Sequence, residues 1–279
     1  MIASHKHVIA IGVLASLVVL ESLIPFFADQ LSTTRLRLRH DARNFVWGVV
    51  NAAVGALFAS SVLVAALTTA EAYDFGLLRL VEFPIVAEWA LAFLLFDLWM
   101  YFWHRINHVV PFLWRFHRMH HSDRQMDTST GVRFHTGEIV LSSFARIAIV
   151  PVLGISVEQL IAYEAALLPV VFFHHSNLWI PRWLDYGLAY VVVSPAVHRV
   201  HHSQIRDETN SNYGSIFSWW DRLFRTLRMR ADVENIKYGL EEFSGSASDT
   251  LTGMAATPLS NSGKNLAEVT QRSDRPRDP

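Results

Sequence analysis

The chain of 279 residues contains no cysteine. This absence excludes a disulfide framework, a thiolate zinc site, an iron–sulfur cluster and a cysteine nucleophile. Charged residues are also scarce, at 18% of the chain, against roughly 25% in soluble domains. The formal net charge of -1 gives no basis for binding nucleic acid. GxGxxG and HExxH motifs are absent, so the chain lacks common signatures of a nicotinamide or flavin site and of a zinc hydrolase.

Apolar residues are abundant instead: 51% of the chain is hydrophobic, and the mean hydropathy is +0.23. A membrane-spanning helix needs about 20 mostly apolar residues. We therefore predict an all-α, multi-pass integral membrane protein with four to five spans. The segments are 8–27, 45–69, 85–103, 139–155 and 157–173.

Two features of these segments leave alternatives open. The first segment lacks a small-residue cleavage site, so we expect it to stay as a span rather than leave as a signal peptide. The fourth and fifth segments are short and carry Arg146 and Glu164, so they either cross the membrane or form a hairpin that crosses it partly.

Arginines are concentrated in two of the connections between spans, residues 28–44 and 104–138. The connection 70–84 contains only Arg79, and the turn 154–157 contains no basic residue. Because cytoplasmic loops carry the excess of basic residues, both arginine-rich connections are expected in the cytoplasm. The same alternation of spans brings the clustered histidines to the cytoplasmic face, although it was derived without using them.

Eleven of the 14 histidines fall between His104 and His202. Most belong to one HxxxH pair and two HxxHH triplets, and residues three and four apart share a helix face. Pro111 and Ser194-Pro195 are typical helix starts just before the two triplets. Imidazole is the commonest metal-ligand side chain, and eight of them exceed the needs of one tetrahedral ion. The pattern therefore predicts a site for two transition metals. Its members are His104, His108, His117, His120, His121, His198, His201 and His202.

Other polar residues near these clusters are weaker candidates. His135 precedes the fourth span, and His174 and His175 follow the fifth; adjacent helical residues diverge by about 100°, so only one of that pair is expected to bind metal. Asp97 lies inside the third span, where a carboxylate is costly and suggests a function. We expect it to act structurally or to orient a ligand, as we do for Glu138 and Asn177. His5, His7 and His40 are interpreted as incidental.

The segment from Asp97 to about Arg228 resembles the fatty acid hydroxylase / sterol desaturase superfamily of membrane-bound metal oxygenases. The matching pieces are WHRINH, LWRFHRMHHSD, RFHTGE, HHSNLWIP, SPAVHRVHHS, NYG and WWDRLF. The resemblance implies a membrane domain with a cytoplasmic, helical, histidine-rich cap over a di-iron centre. It also implies a ligand set, with Thr136 in place of the usual proline after His135. That set is His104, His108, His117, His120, His121, His135, His175, His198, His201 and His202.

The expected activity is O2-dependent hydroxylation or desaturation of a lipid that enters from the bilayer. Two Fe ions are expected, with zinc possible in purified protein because imidazole accepts both metals. No segment for binding a redox cofactor is evident, so a separate electron donor of cytochrome or ferredoxin type is expected. Aromatic residues near the metal are candidates for the lipid pocket: Trp103, Phe116, Phe134 and Phe172.

Three other classes of protein also use histidine clusters in membranes and differ from this pattern. A zinc-dependent membrane hydrolase would carry an acid next to its histidines, as in HExxH. A metal transporter would place its ligands near the middle of the membrane rather than at one interface. A bis-histidine haem protein needs few histidines and would show a Soret band.

The predicted organisation has three parts. Residues 1–80 form N-terminal transmembrane helices, 81–243 form the catalytic domain, and 244–279 form a tail. The tail is rich in Ser, Thr, Gly, Asn, Pro and charge and has no hydrophobic period, so it is predicted to be disordered. We accordingly expect that removing it leaves activity nearly intact.

The predicted topology is open to a labelling test, since the chain has no cysteine of its own. A single cysteine at Gln125 should react with an impermeant thiol reagent only from the cytoplasmic side, and one at Asp74 only from the other side. Labelling of both from the same side would contradict the alternation of spans.

Overall fold

A computed structural model of the chain describes residues 2–28, 33–243 and 246–260. Within these residues the protein is built of α-helices and short helical turns, and extended pairing is limited to isolated bridges such as Pro25 with Leu178. The all-α prediction is therefore confirmed.

Long helices form the body of the described chain, and α2 continues through a π-helical segment, Gly55–Ala59, directly into α3. The long helices are α1 (Ile2–Leu23), α2 (Thr34–Val54), α3 (Ser60–Ala72), α4 (Ile85–Val109), α5 (Pro111–His121), α6 (Thr136–Leu153) and α7 (Val157–His175). Short helices follow: α8 (Arg182–Leu188), α9 (Pro195–His201), α10 (Arg206–Thr209), α11 (Trp219–Leu223) and α12 (Leu251–Ala255).

Four helical segments in the described residues are long and apolar enough to cross a membrane: Ser60–Arg79, Ile85–Val109, Thr136–Leu153 and Val157–His175. The apolar part of α1, His7–Leu23, is shorter. Large apolar side chains such as Val86, Phe144 and Val152 point outward and are exposed, as expected for surfaces that face lipid. The chain is thus a multi-pass membrane protein, and the fourth and fifth predicted segments both reach spanning length.

The long helices alternate in direction. Near the end of α1, Glu21 accepts hydrogen bonds from the Thr128 hydroxyl at 2.7 Å and the Asn177 backbone N–H at 2.9 Å. Those partners follow α5 and α7 respectively. The ends of α1, α4 and α7 therefore meet the starts of α2 and α6 at one end of the bundle, which we call the histidine end because α5 and α9 lie there.

His40 helps to close the histidine end, contrary to its interpretation as incidental. Its imidazole lies between three buried carboxylates, with Nε2 2.8 Å from Asp123 and Nδ1 3.2 Å from both Asp41 and Asp127. Burial opposes the charged form, but the carboxylates of Asp123 and Asp127 outweigh it and raise the pKa of His40 well above its usual value. This buried ion cluster ties α2 to the segment that follows α5.

The opposite end of the bundle is closed by two turns in direct contact. A Cβ on Gly76 would lie 2.3 Å from the Cα of Gly154, and both residues have positive φ, at 130° and 77°. Glycine is required there because a side chain would meet backbone. Ser156 then starts α7 through a capping box with Gln159.

Between these ends, α3, α4, α6 and α7 share an apolar core that includes Leu67, Phe96, Val150, Leu160 and Leu167. Lipid is as apolar as these side chains, so close packing rather than expulsion of water holds this part of the bundle together.

The C-terminal segment 246–260 is folded, although we predicted disorder from residue 244 onward. It forms short helical turns and α12, and it buries Met254 and Thr257. The Arg118 guanidinium, on α5, donates to the backbone oxygens of Thr257 and Ser260 and stacks on the Phe243 ring. A buried cation of this kind is satisfied only by fixed partners, which explains why the segment has an ordered position. Residues 261–279 lie outside the described residues.

Two truncations should separate the folded segment from the remainder. Ending the chain after Phe243 removes the backbone oxygens of Thr257 and Ser260 that accept from Arg118. We therefore expect a loss of about 2 kcal/mol and a fall in melting temperature of roughly 5 °C. Ending it after Ser260 should leave the melting temperature unchanged. Equal melting temperatures for both truncations in detergent would show that the packing of 246–260 contributes nothing.

Candidate metal centre

The first HxxHH triplet lies on α5, and the second lies on α9 and its C-cap residue, His202. Each of these helices has proline at its first position. Proline fits there because the first N–H of a helix has no intrahelical acceptor. All six imidazoles of the triplets are buried, with residue exposures no greater than 3%. The helices therefore hold their histidines inside the protein, where fixed geometry is possible.

Each triplet is divided between two groups of nitrogens. Within each group the candidate ligand atoms all lie within 4.8 Å of one another. In the first triplet, His117 and His121 belong to one group and His120 to the other. In the second triplet, His201 belongs to the group of His117. His198 and His202 belong to the group of His120. The five-histidine group contains His104, His108, His117, His121 and His201, and the four-histidine group contains His120, His175, His198 and His202.

The shortest contacts in these groups join one Nε2 atom to another. The distance is 3.1 Å for His104 and His201, 3.1 Å for His120 and His175, and 3.0 Å for His175 and His198. Two imidazole nitrogens that bind one ion at a right angle lie about 3 Å apart, given metal–nitrogen bonds of about 2.1 Å. The spacing fits convergence on a shared ion.

Several buried nitrogens of the groups have no hydrogen-bond partner. They include His117 Nε2, both nitrogens of His121 and both nitrogens of His202. Leaving a buried polar atom unsatisfied costs about 1–3 kcal/mol, and here the unsatisfied atoms converge. A metal ion bound in each group would satisfy one nitrogen of each ring. The donor set therefore fits the transition-metal ions that imidazole prefers.

The two groups adjoin each other. The rings of His121 and His202, which belong to different groups, are stacked with centroids 4.5 Å apart. The rings of His198 and His201, also from different groups, lie 5.1 Å apart. Two ions bound here would be neighbours in a single centre.

Hydrogen bonds fix the orientation of several imidazoles. Nδ1 of His104 donates to the carbonyl of Tyr213 at 3.0 Å, and that of His201 donates to the carbonyl of Ser211 at 2.6 Å. Nδ1 of His175 likewise donates to the carbonyl of Val171 at 2.7 Å. Donation from Nδ1 leaves the lone pair on Nε2, the nitrogen that points into the group.

The side chain of Glu138 orients a histidine as these backbone carbonyls do. Its Oε1 accepts from Nδ1 of His117 at 2.8 Å. Asp97, Glu138 and Asn177 were the predicted supporting residues. Among the hydrogen bonds of the described residues, Glu138 is the one of these three that binds a histidine of the groups.

The environment of five triplet histidines also favours their neutral form. Burial lowers the pKa of His201 to about 3, and it lowers the pKa values of His120, His121, His198 and His202 well below the usual range, with neighbouring imidazoles adding to the effect in these four. These rings are neutral near pH 7, so their lone pairs are available to a metal.

Nine of the ten histidines in the implied ligand set enter the two groups. His135 does not: its Nδ1 accepts from the Gly137 N–H at 2.9 Å, and its ring packs against Trp47 and Phe116. His174 lies outside the groups as well, but its ring is only 3.9 Å from that of His198. The position of His135 as the N-cap of α6 gives it a local structural role.

Asp97 supports the site from a distance. Its carboxylate accepts from the Tyr163 hydroxyl at 2.6 Å, the Trp220 indole at 2.8 Å and two backbone N–H groups of the 213–220 loop. It does not pair with Arg146, which binds Glu164. Asp221 holds the same loop through the N–H of Tyr213 at 2.8 Å. These two acids fix the loop whose carbonyl orients His104.

Asn177 supports the N-terminal segment rather than a histidine. Its Oδ1 accepts from the Phe27 N–H at 2.9 Å, and its amide donates to the Phe27 carbonyl at 3.1 Å.

The sequence did not predict that the carbonyls of Tyr213 and Ser211 orient His104 and His201. Every residue type has a backbone carbonyl, so residue type gives no sign of this role.

A cavity of about 780 Å³ leads from the two groups into the membrane-spanning helices. His104, His120 and His175 lie at one end of it, and its walls carry apolar side chains such as Leu63 and Leu168. Of the aromatic residues predicted to line a pocket, Trp103 and Phe134 do so, while Phe116 and Phe172 are not among the lining residues. The cavity has a size typical of small-molecule sites.

Comparison with known proteins connects this geometry to a family. The family model for fatty acid hydroxylase matches residues 89–226, which contain both histidine groups. Alkylglycerol monooxygenase from Danio rerio is 30% identical over 158 residues, which cover 54% of this chain and 32% of that protein. Its human counterpart is 29% identical over 157 residues, covering 54% and 33%. No solved structure matches the chain.

In two other kinds of relative, the match with this chain spans a larger share of the relative's length. Ornithine lipid hydroxylase OlsE from Rhizobium tropici is 25% identical over 187 residues, which cover 66% of this chain and 54% of that protein. Cholesterol 25-hydroxylase from Rattus norvegicus is 28% identical over 162 residues, covering 53% and 49%. The matched part therefore spans only about a third to a half of these relatives.

The helical bundle with its buried histidine groups defines a membrane-embedded, histidine-rich type of protein with a candidate metal centre. The chain belongs to the fatty acid hydroxylase / sterol desaturase superfamily, through the segment that holds its histidines.

Metal analysis of single variants tests the assignment of ligands. His121→Ala in the five-histidine group and His202→Ala in the four-histidine group should each reduce bound metal from two ions per chain to one or fewer, because each removes a buried donor. His135→Ala is the matched control and should keep two ions. Elemental analysis of purified, membrane-inserted protein gives the readout, and two ions in either of the first variants would remove that residue from the ligand set.

Proposed function

We propose that the protein is an O2-dependent lipid hydroxylase with a histidine-held di-iron centre. The observation that carries the proposal is the junction of two all-imidazole groups with an apolar cavity inside membrane-spanning helices. Such a junction brings a redox-capable metal pair and a lipid chain to the same place.

The donor set favours a transition metal such as iron over the hard divalent cations. Imidazole suits iron, zinc, copper and nickel, whereas magnesium and calcium prefer oxygen ligands. His104, His108, His117, His121 and His201 would hold one ion, and His120, His175, His198 and His202 the other. When bound, the iron pair supplies the activation of O2 that oxidation of an unactivated C–H bond requires.

The residues of the chain itself would position the lipid and the metal ligands and keep water out of the cavity. Leu63, Leu67 and Leu168 provide an apolar wall against which a lipid chain displaces water. Glu138 holds the His117 ring, and the 213–214 loop, fixed by Asp221, holds His104. A dry cavity with fixed ligands favours reaction of the lipid over side reactions with solvent.

The names of the relatives support hydroxylation rather than desaturation. Those proteins are described as a monooxygenase of alkylglycerols, a hydroxylase of ornithine lipid and a hydroxylase of cholesterol. The three lipids share a long apolar part, which the cavity of this chain would accept, but they differ in polar group. The substrate class is accordingly proposed as a membrane lipid.

We further propose that the histidine end faces the cytoplasm and receives electrons from a separate protein. Exposed arginines at that end, Arg35, Arg39 and Arg115, agree with the excess of basic residues in cytoplasmic loops. The same charges would attract an acidic donor of cytochrome or ferredoxin type.

Reconstitution tests the proposed activity. The protein in lipid vesicles, loaded with iron and given a chemical or protein reductant, should transfer one oxygen atom from isotopically labelled O2 into a lipid. His120→Ala and His201→Ala should abolish incorporation while the protein still inserts. Absence of labelled lipid from fully loaded protein across alkylglycerols, ornithine lipids and sterols, together with metal flux or peptide cleavage, would refute the oxygenase assignment.

A further inference from the structure

Two opposite charges lie side by side within the membrane-spanning part of the bundle. Arg146 of α6 and Glu164 of α7 form an ion pair with a nitrogen–oxygen distance of 3.1 Å. Both residues line the cavity that starts at the histidine groups, and each side chain is about a quarter exposed, at 25% and 24%. The pair is thus a polar spot on an otherwise mainly apolar wall.

The helices set the distance of this pair from the metal centre. Arg146 lies eight residues beyond Glu138, and Glu164 lies eleven residues before His175. At 1.5 Å per residue these intervals correspond to about 12 Å and about 16 Å. The ion pair therefore lies about halfway along α6 and α7, well away from the histidine groups.

The surroundings of Arg146 leave its guanidinium available to a ligand. The group has five N–H donors in a fixed fork. One nitrogen donates to Glu164, another lies 3.9 Å from the sulfur of Met100, and the guanidinium lies over the Phe96 ring at 5.9 Å. These neighbours hold the group in place without saturating it.

An ion pair that only joins two helices can often be replaced by apolar residues without loss of stability, so joining α6 and α7 does not require charges here. Here the charges face the cavity, where they would favour a polar group and oppose an alkyl chain. Because the pair is neutral as a whole, it also opposes a charged ligand: a phosphate would be repelled by Glu164 and an ammonium by Arg146.

We propose that Arg146 and Glu164 form a docking site for an uncharged hydroxyl group of the lipid. The hydroxyl oxygen would accept from the Arg146 guanidinium, and its O–H would donate to the Glu164 carboxylate. The inference rests on the proposed function in one respect, that the other end of the lipid reaches the histidine groups. The lipid then enters with its hydroxyl innermost, and the distance between the two sites selects the position that is oxidised.

Photolabelling tests the site without turnover. The probe is a long-chain primary alcohol with a diazirine beside its hydroxyl, and the comparison probe is its methyl ether, which cannot donate to Glu164. Metal-free full-length protein in nanodiscs should be labelled by the alcohol on the peptides that contain Arg146 or Glu164. Labelling by the ether should be at least about tenfold weaker, the cost of one hydrogen bond to a charged group.

A matched pair of double variants controls for loss of an ion pair as such. Arg146→Met with Glu164→Gln should abolish the preference for the alcohol. Glu71→Gln with Arg79→Met removes an ion pair outside the cavity lining, with a distance of 3.4 Å, and should keep the preference. Equal labelling by alcohol and ether in the wild type, or labelling confined to the histidine end, would overturn the docking site. An oxygenase that shows either result would still perform the proposed function, so the two failures are distinguishable.

Discussion

The structure depends on holding many imidazoles close together in their neutral form. Bringing nine histidines into two adjoining groups places unsatisfied nitrogens in the interior, and each such atom costs free energy unless something fixes or binds it. The chain meets this constraint with backbone carbonyls and Glu138, which accept from the outward nitrogen of several rings. The inward nitrogens are thereby aimed before any ion arrives.

Those carbonyls are useful only if their loops are rigid, and buried acids provide the rigidity. Asp97 and Asp221 bind the N–H groups of the loop that carries Tyr213, while Asp123 joins the cluster around His40 that ties α2 to the segment after α5. Acids in apolar surroundings are expensive unless fully paired. Here each of these acids accepts several hydrogen bonds or forms an ion pair, which offsets the cost of burying it. The loops bound by the acids are thereby held in fixed positions.

Much of this organisation follows from the sequence, because hydropathy marks membrane helices and HxxHH marks a metal site. The remainder depends on long-range contacts. The division of each triplet between two groups arises from how α5 and α9 face each other, and spacing within one helix cannot reveal it. The His40 cluster and the packing of 246–260 on Arg118 each join residues more than 80 positions apart. The polar composition of that last segment led to a prediction of disorder. The prediction missed its buried contacts because they are made by backbone oxygens, which residue types do not reveal.

The crossed arrangement of the triplets has a consequence for assembly. Since α5 and α9 each contribute to both groups, neither ion would have a helix of its own. An ion in one group would further restrain the two helices that also contribute to the other group, and by linkage the benefit is mutual. Occupancy would then rise steeply over a narrow range of metal concentration, and half-filled molecules would be rare. Such cooperativity would keep the amount of partly assembled centre low in the cell.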